Sequence, residues 1–373
     1  MDEKFTAFLI TEKKIGKLSI APLDILLLAA TLVFGFLLRG TVFTIYGPKE
    51  AGTMSIFGEG IDVMKGVSTA SDYLMAAAAG YLVSRISGKK LAGFVTVAIL
   101  FLQPATAASS AMWGMADGFY LTCMILFLLM VFQKKTAFAG LFLGLGTLFN
   151  PYALFLLPIL LYAIAKRESG EKVLLSAAAL CYVAGGVLLH LFLTGTSLPP
   201  FAYEAILNKG RALPLLSYNY PNAYYMIAEG SFVFEYRKVG AILTVFLGLL
   251  ILMLMLHFSG KRESDEAARA RFILEMSLFC SILLPFICPG MNERAGLPAM
   301  VISVCLAMCY PAYYDLAILC CILAFLPTAA FFREGSLWPL SYVALAYLAA
   351  FLILYRRIVS GCKPQGEGQY EKG

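Results

Sequence analysis

Side chains that could do chemistry are concentrated in four short segments, each beside an apolar run. The segments are SAMWGMADGFY (110–120), LGLGTLFNPYALFLLPILL (143–161), YNYPNAYYMIA (218–228) and CPGMNERAGLPA (288–299). Their candidate substrate-binding side chains are Trp113, Asp117, Asn150, Asn222, Tyr224, Tyr225, Asn292, Glu293 and Arg294. Polar groups at the ends of apolar runs are normally retained where they face a cavity.

These residue types permit proton transfer and anion binding. A carboxylate can accept the proton of an attacking hydroxyl group. A guanidinium such as that of Arg294 stays charged and binds phosphate oxygens in pairs, so it can stabilise charge on a departing phosphate. The four segments therefore contain residue types that such a reaction would need.

The candidates also have structural interpretations. Asp117 could hold its turn through backbone hydrogen bonds, and Glu293 and Arg294 could form a salt bridge that fixes their loop. Asp72 could cap a helix that begins at SDYLM, since Asp is a favoured N-cap residue. Packing and turn formation are the alternatives for Asn222, Tyr224 and Tyr225.

The composition requires these segments to be positioned by a membrane protein. Of the 373 residues, 60% are apolar or aromatic and only 14% are charged, and the mean hydropathy is +0.81. A soluble domain carries about 25% charged residues, so a soluble enzyme, a disordered protein and a collagen-like fibre are excluded. A span needs about 20 residues, which leaves room for about a dozen spans.

Charge, cysteine and histidine content give no sign of a nucleic-acid partner or a metal. The net charge of +6 is not gathered into a dense basic face. The nine cysteines lie almost wholly in apolar runs, and the two histidines have no ligand spacing around them. We therefore predict no nucleic-acid partner, no cofactor and no metal ligands. A divalent cation is compatible with the sequence, but nothing in it calls for one.

The apolar runs predict an all-α, polytopic membrane protein with about 10–12 transmembrane helices. The predicted helices are 20–38, 72–86, 91–108, 118–132, 137–149, 151–165, 173–194, 238–257, 272–288, 295–311, 314–331 and 337–355. The loops at about 39–71 and 194–237 are long and hold too many Ile, Phe, Tyr and Met residues for disorder, and we expect surface helices in them to roof a cavity. Glu275 and His190 are the ionisable groups expected to lie deep.

Basic residues predict which side faces the cytoplasm. With the N-terminus inside, 20 of the 29 Lys and Arg residues fall on that side and nine on the other. This asymmetry places both termini in the cytoplasm. The predicted organisation is a cytoplasmic segment (1–19), a core with two external loops (20–300), C-terminal transmembrane helices (301–357) and a cytoplasmic tail (358–373).

The four segments resemble, in order, motifs of bacterial relatives of the second glycosylphosphatidylinositol mannosyltransferase, which belong to the GT-C superfamily of membrane glycosyltransferases. The family motifs are Trp-Gly-Gln-x-Asp, a Gly- and Leu-rich run ending Lys-Pro-Gln, Asn-Ala-Tyr-Asn, and Met-His-Glu-Arg-Tyr followed by Pro-Ala. The resemblance covers residues 45 to 300. The chain departs from the motifs at Met115, Asn150-Pro151-Tyr152, Tyr225, Asn292 and Ala295.

The resemblance also supplies the candidate catalytic acids. In the family, the first external loop begins and ends with an Asp-Tyr pair. The second pair matches Asp72-Tyr73, and Glu50 lies nearest the position of the first. Glu50 is therefore the candidate general base, with a loop acid of no catalytic role as the alternative.

The function implied by the resemblance is transfer of a sugar, mannose by family default, from a polyprenyl-phosphate donor. The acceptor would be a glycan, a lipid or a protein at the extracytoplasmic face of the cytoplasmic membrane. The substituted motifs leave a second interpretation, a catalytically inactive subunit that binds lipid-linked glycan. A third is a flippase for a lipid-linked sugar, which would need two repeated halves with broken helices at the midplane.

Overall fold

The computed structural model describes residues 11, 13–15, 18–46, 61–113, 115–166, 172–193, 216–228, 234–263, 265–332 and 339–361. The described chain is predominantly helical. Its helices are α1 (Pro22–Tyr46), α2 (Ile61–Ser87), α3 (Lys90–Phe101), α4 (Pro104–Trp113), α5 (Asp117–Phe132), α6 (Thr136–Phe149), α7 (Leu157–Ala165), α8 (Lys172–Leu193), α9 (Ala223–Ala228), α10 (Phe234–Arg262), α11 (Glu266–Ile287), α12 (Leu297–Cys309), α13 (Tyr314–Phe332) and α14 (Leu340–Ser360).

Short 3-10 turns and two small sheets complete the described part. The 3-10 turns are Pro151–Leu156, Glu293–Gly296 and Pro311–Tyr313. Strands β1 (Lys13–Ile15) and β2 (Leu18–Ile20) pair antiparallel, and β3 (Ser217–Tyr218) pairs parallel with β4 (Met291–Asn292). The strands were not predicted. They are only two or three residues long and lack the alternation of apolar and polar residues that identifies a strand.

The helices confirm a multi-pass, all-α membrane protein in outline. Six described helices are long and apolar enough to cross a membrane, and a bent pair, α3 and α4, would make seven. Three shorter apolar helices cover Asp117–Phe132, Thr136–Phe149 and Pro151–Ala165. At 1.5 Å per residue, 16 residues reach about 24 Å, which is less than a bilayer core of about 30 Å. The figure of 10–12 spans therefore stays a prediction.

Several predicted boundaries differ from the structure. Residues 91–108 were predicted as one helix, but α3 and α4 bend by 51° at the break before Pro104. Pro104 lacks an N–H and disfavours a helical conformation in the residue before it. The hydroxyl of Thr106 donates to the carbonyls of Leu100 and Gln103 and so links the two sides of the break.

The predicted external loops also need correction. α1 continues past Arg39 to Tyr46, and α2 already begins at Ile61. Arg39 does not end the first helix because its side chain is buried against neighbouring helices instead of entering water. Of the second predicted loop, residues 216–228 form β3 and α9, and α10 begins at Phe234. The predicted tail begins inside α14, which runs to Ser360.

Helix α11 lies at the centre of the bundle. In its most apolar window, 83% of the residues are buried, against 17% for the windows in α1 and α10. The carboxylate of Asp265 caps α11 by accepting from the N–H of Ala268 at 2.7 Å. α1 and α10 expose rows of large apolar side chains, which suits helices that face lipid.

Small residues let α6 and α8 approach closely. A Cβ added to Gly144 would lie 2.2 Å from the carbonyl oxygen of Tyr182, and one added to Gly186 would lie 2.1 Å from that of Gly144. Gly140 meets Ala179 in the same way. Such rows of small residues are the usual means by which membrane helices pack backbone to backbone.

Polar contacts define two opposite ends of the bundle. At one end α1, α2, α4 and α5 meet through Arg39, Asp72, Ser109, Ser110 and Asp117. At the other end lie the last turn of α10, the first half of α11 and the start of α13. Glu275 lies 12 residues before the end of α11 at Ile287, which is about 18 Å along a helix.

The second end holds a group that we name the Glu275 clamp, formed by Arg262, Arg271, Glu275 and Tyr313. Glu275 is fully buried. Its Oε2 accepts from Arg262, and its Oε1 accepts from Arg271 Nε at 2.9 Å and from the Tyr313 hydroxyl. The clamp joins α10, α11 and the 3-10 turn before α13, and it surrounds Glu275 inside the bundle.

Candidate functional site

The first end contains the Asp117 cluster, defined as Arg39, Asp72, Ser109, Ser110, Asp117, Tyr120, Tyr152 and Arg294. Its members come from α1, α2, α4, α5 and the two 3-10 turns that precede α7 and α12. Most of these side chains are buried. Two of them, Arg39 and Arg294, are cations, and two, Asp72 and Asp117, are carboxylates. The cluster is therefore a charged centre inside an apolar bundle, and each charge needs a partner.

Arg39 and Asp72 form a buried ion pair at the rim of this cluster. Arg39 Nη2 lies 2.7 Å from Asp72 Oδ2, and Nε donates to the hydroxyl of Ser110 at 3.2 Å. Nη1 donates to the carbonyls of Gly35 and Phe101, and the guanidinium lies 4.2 Å above the Phe101 ring. Arg39 is thus engaged on every side.

Asp117 joins three elements at the centre of the cluster. Its Oδ2 accepts from the hydroxyl of Ser109 at 2.7 Å, and its Oδ1 accepts from Arg294 Nη1 at 3.3 Å. The helix N-cap is Ala116, and no side chain caps it. Asp117 therefore binds side chains of α4 and of the turn before α12, which the interpretation as a simple turn residue did not anticipate.

Gly118 brings the two carboxylates of the cluster near each other. A Cβ added to Gly118 would lie 2.2 Å from the carbonyl carbon of Ser71 and 2.5 Å from the nitrogen of Asp72. α2 and α5 touch backbone to backbone at this point, because Gly118 has no side chain. Asp72 and Asp117 flank the contact.

Arg294 is the cation of the cluster that stays partly open. Its side chain keeps 21% of its surface exposed, and Nη1 donates to Asp117. Its Nε and Nη2 make no hydrogen bond to the residues that the structure describes. Burial opposes the charged form, but the carboxylates of Asp117 and Glu293 raise the pKa of Arg294 above its usual value. The guanidinium therefore remains charged.

Two asparagines start the 3-10 turns that carry the rest of the site. Asn150 Oδ1 accepts from the N–H of Tyr152 at 3.0 Å, and Asn292 Oδ1 accepts from the N–H of Arg294 at 3.1 Å. The Tyr152 hydroxyl accepts from the N–H of Asn292 at 3.4 Å. Both asparagines are structural caps, and they hold Tyr152 and Arg294 beside each other.

The third segment docks on the fourth through backbone pairing. Ser217 and Tyr218 in β3 lie beside Met291 and Asn292 in β4. Asn219, with φ of 61°, also forms a bridge to Asn292. Asparagine tolerates this left-handed conformation better than most residues. All four sequence segments therefore meet around residues 291–294.

Asn222, Tyr224 and Tyr225 form a second layer around the fourth segment. The side chain of Asn222 accepts from the N–H of Tyr224 at 3.2 Å, and the Tyr224 hydroxyl donates to the carbonyl of Ile287 at 2.7 Å. Gly240 leaves room for Tyr224, since an added Cβ would lie 2.1 Å from its hydroxyl. These contacts favour the packing and turn roles, although Asn222 Nδ2 is buried with no hydrogen-bond partner in the described chain.

The structure also places the remaining predicted residues. Glu50 and the side chain of Trp113 lie outside the described residues. Asp72 lies eleven residues into α2, so the interpretation as a helix N-cap is wrong; α2 begins at Ile61 because the segment before SDYLM is helical too. Glu293 is buried beside Arg294, and the ion pair that Arg294 makes through Nη1 is with Asp117.

Sequence reasoning missed five members of the cluster: Arg39, Ser109, Ser110, Tyr120 and Tyr152. Arg39 was assigned to a loop because a charge normally ends an apolar run. Its signal was the apolar sequence that continues after it, TVFTIY, which lengthens the helix. The serines and tyrosines carry no such signal, because both types occur throughout this chain.

The remaining candidates are His190 and the side-chain types that bind metals. His190 is buried and its Nδ1 lies 2.8 Å from the carbonyl oxygen of Leu148, as expected for a core histidine. Within the described ranges, no group of three or more His, Cys, Asp or Glu side chains is arranged to hold a metal ion.

No family model matches the chain, and no curated protein matches it significantly.

Proposed function

We propose that this protein is a GT-C-type glycosyltransferase that moves a sugar from a polyprenyl-phosphate donor to a glycan, lipid or protein acceptor. The observation that carries the proposal is the meeting of four distant sequence segments around Arg294 and Asp117. These are the segments that resemble the motifs of the mannosyltransferase family. Mannose is the sugar expected by family default.

The proposed reaction is displacement at the sugar carbon that bears the phosphate. The acceptor hydroxyl loses its proton to a carboxylate, its oxygen bonds to this carbon, and the phosphate leaves with the electron pair of the broken bond. Arg294 supports this step because it is charged and has Nε and Nη2 available to phosphate oxygens. An apolar bundle suits such a donor, since the polyprenyl tail needs a lipid environment.

The roles of the acids follow from their contacts. Asp72 is engaged by Arg39, so its proposed role is to hold Arg39 and the junction of α1, α2 and α4. Asp117 is proposed to orient substrate next to Arg294. Glu50 remains the proposed base, on the resemblance alone. The proposed site lies at the extracytoplasmic face of the cytoplasmic membrane, with both termini in the cytoplasm.

The test is sugar transfer by purified protein in proteoliposomes. Radiolabelled polyprenyl-phosphate sugars would be offered with crude membrane acceptors to the native protein and to Asp117→Asn and Glu50→Ala. Asp315→Asn is the matched control, because Asp315 pairs with Arg357 at the opposite end of the bundle. Native turnover that falls in Asp117→Asn and persists in Asp315→Asn supports the proposal. Equal turnover in all variants contradicts the assigned site.

A second candidate is a non-catalytic subunit that binds lipid-linked glycan. It is favoured by the engagement of Asp72, a candidate catalytic acid, in a buried pair with Arg39. This function predicts that donor lipid binds to the native protein and that no sugar is transferred from any donor. Transfer by the native protein excludes it.

A further inference from the structure

The hydroxyl group of Tyr120 is buried in the Asp117 cluster without a hydrogen-bond partner in the described chain. Tyr120 is 1% exposed and follows Asp117 by three residues, on the same face of α5. Leaving a polar atom buried and unpaired is unfavourable, and such atoms are rare in folded proteins. A phenylalanine would fill the same space without this cost.

Two charged side chains accompany Tyr120 in the cluster. Asp117 lies one helical turn before it in α5 and accepts a hydrogen bond from Arg294 Nη1 at 3.3 Å. Arg294 uses only Nη1 for Asp117 and is the partly exposed member of the group. Tyr120 is therefore one helical turn from a carboxylate whose partner is a guanidinium with unused donors.

The chemistry of these three groups selects the kind of ligand atom that could join them. Asp117 can only accept a hydrogen bond, Arg294 can only donate, and a tyrosine hydroxyl can do both. A phosphate oxygen in its ionised form donates nothing to Asp117 and is repelled by it. A neutral hydroxyl group can donate to Asp117 and accept from Arg294 or Tyr120 at the same time.

We propose that Tyr120, Asp117 and Arg294 form a subsite for a ring hydroxyl of the transferred sugar, and that Tyr120 is a specificity-determining residue. This inference rests on the proposed glycosyl transfer. Arg294 has donors enough to contact this hydroxyl and the donor phosphate together, which places the recognised hydroxyl on a carbon near the one that bears the phosphate.

The test is binding, measured as the rise in unfolding temperature of the detergent-solubilised protein with added ligand. The probes are a polyprenyl-phosphate hexose and its analogues that each lack one ring hydroxyl. The variants are Tyr120→Phe and the control Tyr162→Phe. Tyr162 is also a buried tyrosine, but its hydroxyl donates to Glu263 at the opposite end of the bundle.

The native protein is expected to bind one deoxy analogue about 5- to 100-fold more weakly than the full donor, since a buried polar group is then left unpaired. Tyr120→Phe is expected to bind the full donor more weakly and to discriminate less against that analogue. Its unfolding temperature without ligand should be no lower than that of the native protein. Tyr162→Phe should unfold earlier and keep the native discrimination.

Other outcomes overturn the subsite. Equal binding of every analogue by the native protein, or unchanged discrimination in Tyr120→Phe, shows that the Tyr120 hydroxyl does not recognise a hydroxyl of the sugar. Absence of binding to every probe also overturns it. The transfer assay decides separately on the glycosyltransferase proposal: turnover in that assay would leave the enzyme standing while this subsite fails.

Discussion

The Asp117 cluster and the Glu275 clamp use the same residue types at opposite ends of one bundle. They differ in how many of their hydrogen-bonding groups have a partner. In the clamp, one carboxylate receives two guanidiniums and a phenol, and both of its oxygens are used. In the cluster, Arg294 keeps two nitrogens without a described partner, and the hydroxyl of Tyr120 is buried and unpaired. Burial and charge alone do not distinguish the two groups.

The difference indicates how structural and functional charge can be separated in an apolar protein. A saturated group has no hydrogen-bonding capacity left for a ligand, so its contribution is to the fold. An unsaturated group retains that capacity at a cost in stability, which is typical of binding sites. Variants at the two ends can test whether the Glu275 clamp serves the fold and the Asp117 cluster serves binding.

The largest expected effect is loss of stability in Arg262→Met. Removing Arg262 leaves Oε2 of the buried Glu275 without its cation. Breaking a buried pair on one side costs about 3–5 kcal/mol. We expect the unfolding midpoint in detergent to fall accordingly, while transfer per folded molecule is unchanged.

The double variant Arg262→Met with Glu275→Leu is the control for this prediction. It removes both partners, so it should recover part of the lost stability. A single variant as stable as the native protein would contradict the structural role of the clamp.

The next effect is loss of transfer in Arg294→Ala. Removing a donor that stabilises charge in the transition state costs about 100- to 1,000-fold in turnover. The unfolding free energy should also fall, because the buried Asp117 loses its cation, but by less than in Arg262→Met, since Arg294 is partly exposed and its ion pair is 3.3 Å long. Arg357→Ala, at the other end, serves as the control. Equal losses of transfer in Arg294→Ala and Arg357→Ala would contradict a functional difference between the two ends.

A smaller effect is expected from Gly118→Ala. The added methyl group would lie 2.2 Å from backbone atoms of Ser71, so α2 must move away from α5. Overpacking of this kind costs about 1–3 kcal/mol. Gly66→Ala in α2 is the matched control, because nothing lies within 4 Å of its added Cβ. Thermal unfolding of the two variants measures the difference in stability. Equal stability would show that α2 and α5 can move apart at this contact without cost.

The smallest effect is expected from Asp315→Asn. Its ion pair with Arg357 is solvent-exposed, with 56% of the Asp315 side chain accessible. Exposed pairs contribute about 0–1 kcal/mol. Chemical unfolding should therefore give nearly the native midpoint and slope. A loss as large as that of Arg262→Met would mean that the contacts around Tyr313 act as one network.

The sequence predicted the helical fold in outline and marked the four segments that meet in the candidate site, because apolar runs and their breaks are local properties. It also predicted a buried Glu275 and a core His190. The residues that pair in the candidate site are far apart in sequence. Arg39 and Asp72 are separated by 33 residues, and Asp117 and Arg294 by 177. No local pattern contains such pairs, since they depend on how the helices pack.

The errors have specific physical reasons. Arg39 was placed in a loop, although burial against Phe101 and Asp72 lets it lie inside a helix. Asp72 was given a possible capping role because Ser71 and Asp72 look like a helix start. The residues before them, IDVMKGVSTA, are also helical, so Asp72 lies inside the helix and cannot cap its N-terminus. Hydropathy does not detect helices of this mixed composition.

The pair between Arg39 and Asp72 also has a consequence for the order of membrane insertion. During synthesis, Arg39 emerges 33 residues before Asp72 and 71 residues before Ser110. A guanidinium without a partner is costly in the bilayer. We expect α1 to remain near the interface, with Arg39 in contact with head groups or water, until α2 and α4 have been made. The first helices would then enter the membrane together, as one cooperative step of biogenesis.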